Sequence, residues 1–160
     1  MKNICAVIVC FSLGFGLKSQ EVKTYKGLYG SGFAEYGYAE NDKFQRVMAG
    51  PFKYSDTAEI ADRGECVIQI SGNYRDDKKA GPWVASVKST DNSSNETVTG
   101  MYLNGQKTGF WSHRLTVTEM ETKSLAATFN RNKFKGVFNY KFSPLVPQSG
   151  YKSIEIAGNF

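Results

Sequence analysis

The chain is expected to be all-β: an antiparallel meander of repeated β-hairpins forming one elongated twisted sheet. Three observations lead there. Aromatic residues make up 14% of the 160 positions, as eleven Phe, nine Tyr and two Trp, beside sixteen Gly and only four Pro. That mixture suits pleated strands and tight turns better than helices. A spaced pattern, Gly-x-Tyr-x4-Lys-x-Gly-x-Trp, runs from Gly72 to Trp83 and again from Gly100 to Trp111. Internal repetition of this kind marks a stacked architecture. Finally, each copy encloses a polar dipeptide suited to reversing the chain.

The N-terminus is different in kind. Met1-Lys2-Asn3 is basic, Ile4 to Leu17 carries no charge, and Lys18-Ser19 closes the stretch. An apolar run of about fourteen residues is shorter than the roughly twenty a spanning helix needs. The expectation is a secretory signal peptide over residues 1–19, cleaved after Ser19, with a repeat domain over 20–160. An uncleaved anchor is the alternative. Removal of residues 1–19 takes two lysines and no acid, so the formal charge falls from +5 to +3. It also takes Cys5 and Cys10 and leaves Cys66 alone. A lone cysteine makes no internal disulfide, and its place in the alternation Cys66, Ile68, Ile70 suits a buried thiol. The mild positive charge lacks the clustered Lys/Arg face of a nucleic-acid binder.

An upstream copy is visible only in its second half, as Met48, Gly50, Phe52 and Tyr54. Residues 55–64 read as a short helical turn capped by Asp56 and stopped by Gly64, or as a polar connection. The next copy centres a two-residue turn on Asp76-Asp77. In that register Gly72 faces Gly81 and Ile70 faces Trp83. Asp91 to Asn95 reads as a solvated loop. Asn104-Gly105 is the favoured dipeptide of a type I′ turn, whose central residues both need positive φ. It places Gly100 opposite Gly109, Val98 opposite Trp111, and His113 opposite Glu96. A third copy runs Ala127, Phe129, Phe134, Gly136, Phe138. Its turn falls at Arg131-Asn132, with Leu125 opposite Phe138. Pro144 and Pro147 read as a loop, and the alternation around Ile154 and Ile156 as a closing strand within 150–160.

Spelled out over residues 100–111, Gly-x-Tyr-x-Asn-Gly-x-Lys-x-Gly-x-Trp resembles the MORN repeat. It is most similar to the bacterial variant found in proteins labelled YwqK-type antitoxins. The likeness covers about residues 30–142 at intervals longer than that family's usual repeat. It implies stacked hairpins in an elongated sheet and association with proteins or membrane lipids. It implies no catalytic residues.

Little in the chain suggests reaction chemistry. His113 is the only histidine. Its place across from Glu96 suits a pair that ties strands together, and no nucleophile motif surrounds Ser86 or Ser112. Metal binding needs several converging ligands. Asp76-Asp77 is an acidic pair of the sort that also ligates calcium, here placed to form a turn. No cofactor is implied. The aromatic series Tyr74, Trp83, Tyr102, Trp111, Phe129 and Phe138 is the candidate binding stripe, with sheet packing as the other use for the same rings. The expected role is an exported binding or structural module at the cell envelope, without catalysis, whose unidentified partner is a protein. Alternatives are a hydrolase of envelope polymers, and lipid or carbohydrate binding through the aromatic stripe with Lys107, Lys133 and Lys135.

Overall fold

The three dipeptides expected to reverse the chain do so. Asp76 and Asp77 have φ of 51° and 58°, Asn104 and Gly105 51° and 78°, and Arg131 and Asn132 49° and 65°. Positive φ at both central positions is the signature of the type I′ turn, whose twist matches that of the flanking strands. The computed structural model describes residues 21–117, 121–144 and 153–159. The leader at 1–19, Pro147 and Gly150 lie outside the described residues.

Ten strands follow: β1 (Lys23–Tyr29), β2 (Gly32–Glu40), β3 (Arg46–Ile60), β4 (Gly64–Arg75), β5 (Lys78–Ser89), β6 (Ser94–Leu103), β7 (Gln106–Val117), β8 (Glu121–Asn130), β9 (Lys133–Pro144) and β10 (Ile154–Asn159). They form one antiparallel sheet in strict chain order, with β1 and β10 as open edges. The all-β meander of hairpins is therefore what this sequence folds into.

The hairpin registers hold near the turns and slip beyond them. Tyr74 faces Lys79 and Asn73 faces Ala80, as expected, but Ser71 then faces Val84. Two extra residues on β5 bulge out. The same happens between Met101–Thr108 and Thr99–Ser112, and between Phe129–Phe134 and Ala127–Phe138. Consequently Ile70 faces Ala85 rather than Trp83, Val98 faces His113 rather than Trp111, and Leu125 faces Tyr140 rather than Phe138. The facing glycine pairs expected at 72/81 and 100/109 do not form. Gly50, Gly81, Gly109 and Gly136 lie at the bulges with φ of 86°, 69°, 64° and 86°. A side chain there would cost about 1–2 kcal/mol in the left-handed region. The slip is by an even number, so every side chain keeps its expected face.

Other expectations need correction. Ser55 to Ile60 is neither helical turn nor loop but the second half of β3, paired residue by residue with Gly64 to Gln69. Tyr54, Asp56, Ala58 and Ile60 alternate with exposed Ser55, Thr57 and Glu59. Ser31 Oγ and Tyr54 Oη donate to the Asp56 carboxylate at 2.6 and 2.9 Å, which satisfies a charge in mid-strand. The solvated loop is shorter than expected, since Ser94 and Asn95 belong to β6 and Ser94 is buried. Pro144 ends β9 instead of lying in a loop. The closing strand is β10.

Successive hairpins are tied at their turns. The Asp77 and Asn132 side chains accept the backbone N–H of Met48 and Lys107 at 2.7 and 2.6 Å, one repeat upstream. The backbone N–H groups of Asp77, Gly105 and Asn132 donate in turn to the carbonyls of Met48, Lys79 and Lys107. A hairpin alone is marginal. These bonds make each turn part of its neighbour.

Candidate binding surface

Alternation along the strands gives the sheet two unlike faces. One carries Ser71, Ser86, Thr97, Thr99, Ser112, Arg114, Ser124 and Lys141, with a 2.8 Å hydroxyl pair between Thr99 and Ser112. A shallow open groove of about 400 Å³ lies on that polar face, over Phe33, Glu35, Lys53, Gln69 and Val84 among others. The other face holds both indoles, most of the aromatic rings and the strand isoleucines, while Leu28, Phe33, Val84, Met101, Leu103, Phe110 and Val137 stand exposed among the polar residues.

On the apolar face, one row of residues crosses the sheet from strand to strand. It reads Phe52, Gly72, Trp83, Gly100, Trp111, Ala127, Phe138, Gly158. Rings alternate with the smallest residues. A Cβ built on Gly72 would overlap the Trp83 indole, and one on Gly100 the Trp111 indole. Each indole thus lies flat on bare backbone of the preceding strand, which is why Gly and Trp recur together. Their Nε1–H groups donate to the carbonyls of Asn73 and Met101 at 3.2 Å, freed by the bulges.

A second row lies toward the turns. Tyr74, Tyr102 and Phe129 sit beside the bulge glycines Gly50, Gly81 and Gly109. These rings meet the indoles edge to face. The ladder runs Tyr74–Trp83 at 5.2 Å, Trp83–Tyr102 at 5.9 Å, Tyr102–Trp111 at 5.1 Å and Trp111–Phe129 at 6.1 Å. Such contacts add about 0.5–1.5 kcal/mol each beyond burial. Five of the six expected stripe residues therefore form one continuous ladder. Phe138 joins through the first row, across from Ala127.

Sequence reasoning missed two parts of this surface. The ladder extends upstream through Phe52 to Tyr36 and Tyr29, where the repeat pattern is too degenerate to signal it. The repeat lysines are also roof tiles. Lys79 Nζ lies 4.5 Å from the Trp83 ring centre and 5.2 Å from that of Tyr102. Lys107 holds the same place over Trp111 and Phe129. Burial, with Lys107 nearby, lowers the Lys79 ammonium below its usual range, and burial raises the Tyr74 and Tyr102 hydroxyls. Trp83 and Trp111 are 5% and 8% exposed. What the stripe offers a partner comes from its half-buried Tyr and Phe rings. Lys133 alternates onto the polar face, away from Lys107.

Toward the far end, the apolar face is aliphatic. Ile68, Ile70, Val87, Val98, Leu115 and Leu125 are all half-buried, and the described residues supply no second layer over them. His113 Nε2 meets Glu96 Oε1 at 2.8 Å, although the slipped register makes this a diagonal pair with Glu96 directly opposite Leu115. Arg63, from the turn between β3 and β4, reaches across to the other Glu96 oxygen. Burial pushes the Glu96 carboxyl up, but hydrogen bonds from Arg63 and His113 outweigh it and hold it below the ordinary value. This cluster bridges repeats. Cys66 is buried, with its thiol toward the Gly64 carbonyl. Among the described residues no three His, Cys, Asp or Glu side chains converge as a metal site. Asp76 and Asp77 form the turn, and the Asp77 carboxylate accepts the Met48 N–H.

Comparison of the chain with protein-family models, with curated proteins and with solved structures finds no significant match.

Proposed function

We propose that this chain is an exported, non-catalytic binding module of MORN-like hairpin repeats that takes a protein partner on its apolar face at the cell envelope. One observation carries the reading. Among the described residues, a ten-stranded sheet one layer thick leaves a row of half-buried aliphatic and aromatic side chains without a covering layer. A contiguous apolar surface of that kind is characteristic of an interaction site. The buried indoles and their lysine cover keep the sheet rigid, and Ile70, Val98 and Leu125 beside them form the contact. The charged leader followed by an apolar run supports export.

The test compares the two faces. Val98→Lys and Leu125→Lys place charge on the apolar face, and Ser86→Lys and Ser124→Lys do so on the polar face. Each full-length variant is cross-linked in the cell and its partners are recovered. Loss of the main adduct on the apolar face alone, with unchanged circular dichroism, is the expected result. Equal recovery from all four variants removes the apolar face from the argument. Recovery of lipid vesicles in place of protein, fading as salt rises, moves the reading to a membrane surface.

A further inference from the structure

We infer that the sheet continues through a second copy of this chain, added head to tail, with β1 of the second copy pairing against the open edge of β10. Whatever partner the apolar face takes, this interface uses the edges.

The cross-sheet row points to it. Where a ring covers a glycine of another strand, the contact has one direction: Gly32 is covered by Tyr54, Gly72 by Trp83 and Gly100 by Trp111, each from the following strand, while Tyr25 at the edge lies over Gly27 of its own strand. The row ends at Gly158 on β10, across from Phe138. Among the described residues nothing lies within 4 Å of the place a Gly158 Cβ would take. By the repeat's own rule a ring should cover Gly158 from a strand beyond β10. At the opposite edge the same row begins with rings, Tyr25 beside Tyr36.

Strand direction agrees. All nine adjacent pairs are antiparallel, so β1 and β10 run in opposite senses. A second copy in the same orientation therefore presents β1 antiparallel to β10, the sense of every other pair. With Gly158 opposite Tyr25 of the second copy, all six residues of β10 find partners. Ile154 meets Tyr29, Ile156 meets Gly27, and Ala157 meets Lys26. Tyr25, tilted against Tyr36 at 4.9 Å with its hydroxyl donating to the Leu28 carbonyl in the free edge, turns onto Gly158. Glu155 falls diagonal to Lys26 on the polar face, within reach of an opposite-charge pair.

Among the described residues the edges are only lightly guarded. Repeat arrays usually end in polar caps, and edge strands are usually blunted by proline, lysine or inward charge; β1 carries Lys23 and Lys26, both paired with glutamates of β2. β10 instead has Ile154 and Ile156 at 50% and 54% exposure, and β1 has Leu28 at 78%. Neither strand contains proline. A head-to-tail contact is heterologous, so its product is an open row of copies rather than a closed dimer.

Cysteine pairing tests the register. In a chain carrying Cys5→Ser and Cys10→Ser, with buried Cys66 retained, Ala157→Cys and Lys26→Cys are introduced into separate preparations. Directly opposed residues of an antiparallel pair lie about 4.5–5.5 Å apart at Cα, within disulfide reach. On mild oxidation the mixture should give a linked dimer at least ten times more abundant than either variant alone. Linkage of Ala157→Cys with itself would mean tail-to-tail pairing and overturn the proposal, as would linkage of Lys26→Cys with itself. Equal linkage with Leu28→Cys, two positions out, would overturn the register. Sedimentation of the unsubstituted chain is the independent check: average mass should rise past that of a dimer with concentration, and a monomer throughout ends the idea.

Discussion

The second and third copies of the repeat, β6–β7 and β8–β9, share a backbone and differ in what fills it. Both turn through a dipeptide at positive φ, and both bulge at a glycine, Gly109 or Gly136, in the left-handed region. The side chains change together. Where the second copy sets Gly100 against Trp111, the third sets Ala127 against Phe138. One methyl group is gained where the larger indole is given up. Lys107, the roof over Trp111, is replaced at the matching position by Phe134, whose ring centre lies 4.5 Å from that of Phe129. Positions dictated by the backbone therefore stay constant, and positions dictated by packing vary as coupled pairs.

The largest way to break this comparison is to remove the ring. Trp111 is 8% exposed and is held by Tyr102, Phe129 and the Met101 carbonyl. Trp111→Ala should cost about 3–5 kcal/mol. Phe138 is only half-buried, so Phe138→Ala should cost about 1–2 kcal/mol. Urea unfolding followed by far-ultraviolet circular dichroism measures both. Equal losses would mean that the third copy is packed as tightly as the second, and the contrast between them would fail.

A smaller change tests the coupling itself. Gly100→Ala puts a methyl group into the Trp111 indole, and overpacking of this kind costs about 1–3 kcal/mol. Adding Trp111→Phe turns the second copy's pair into that of the third. The double variant should then be more stable than the sum of the two single losses by about 1 kcal/mol. Strict additivity would show that the Ala–Phe pairing at 127 and 138 is unrelated to the Gly–Trp pairing at 100 and 111.

The same contrast explains what could be read without coordinates. A type I′ turn has a two-residue signature, and 76–77, 104–105 and 131–132 stand out from local sequence alone. Side-chain faces were legible because period two survives an even slip. The bulges were not. A glycine needed for its missing Cβ, such as Gly100, and one needed for positive φ, such as Gly109, are the same letter. Two glycines spaced symmetrically about a turn therefore read as facing partners. Ser55 to Ile60 was misread because Ser-Asp-Thr resembles a loop, when pairing with β4 decides its conformation. The lysine roof is a consequence of strand spacing: Lys79 reaches Tyr102 on the next strand only once β5 and β6 are paired.

The smallest expected effect separates the copies by pH. Glu96 and His113 of the second copy correspond to Lys123 and Tyr140 in the third, so only the second copy has a carboxylate at this place. The Glu96 carboxyl lies below its ordinary value of 4.5, because the Arg63 and His113 hydrogen bonds overcome the effect of burial. A carboxyl depressed on folding stabilises the fold fully above its unfolded value, and that contribution fades as pH falls through the folded value. Glu96→Gln should therefore cost about 1 kcal/mol or less at neutral pH, as expected for a partly exposed pair. The gap from the unsubstituted chain should close as pH drops below 4.5. Comparing the two chains cancels the other depressed carboxyls, Asp56 and Asp91. Amide exchange should place the acid loosening in β6 and β7 ahead of β8 and β9. A gap that stays constant from neutral pH into acid would mean that the charge on Glu96 contributes nothing, and the bridge from Arg63 to His113 would be reduced to packing.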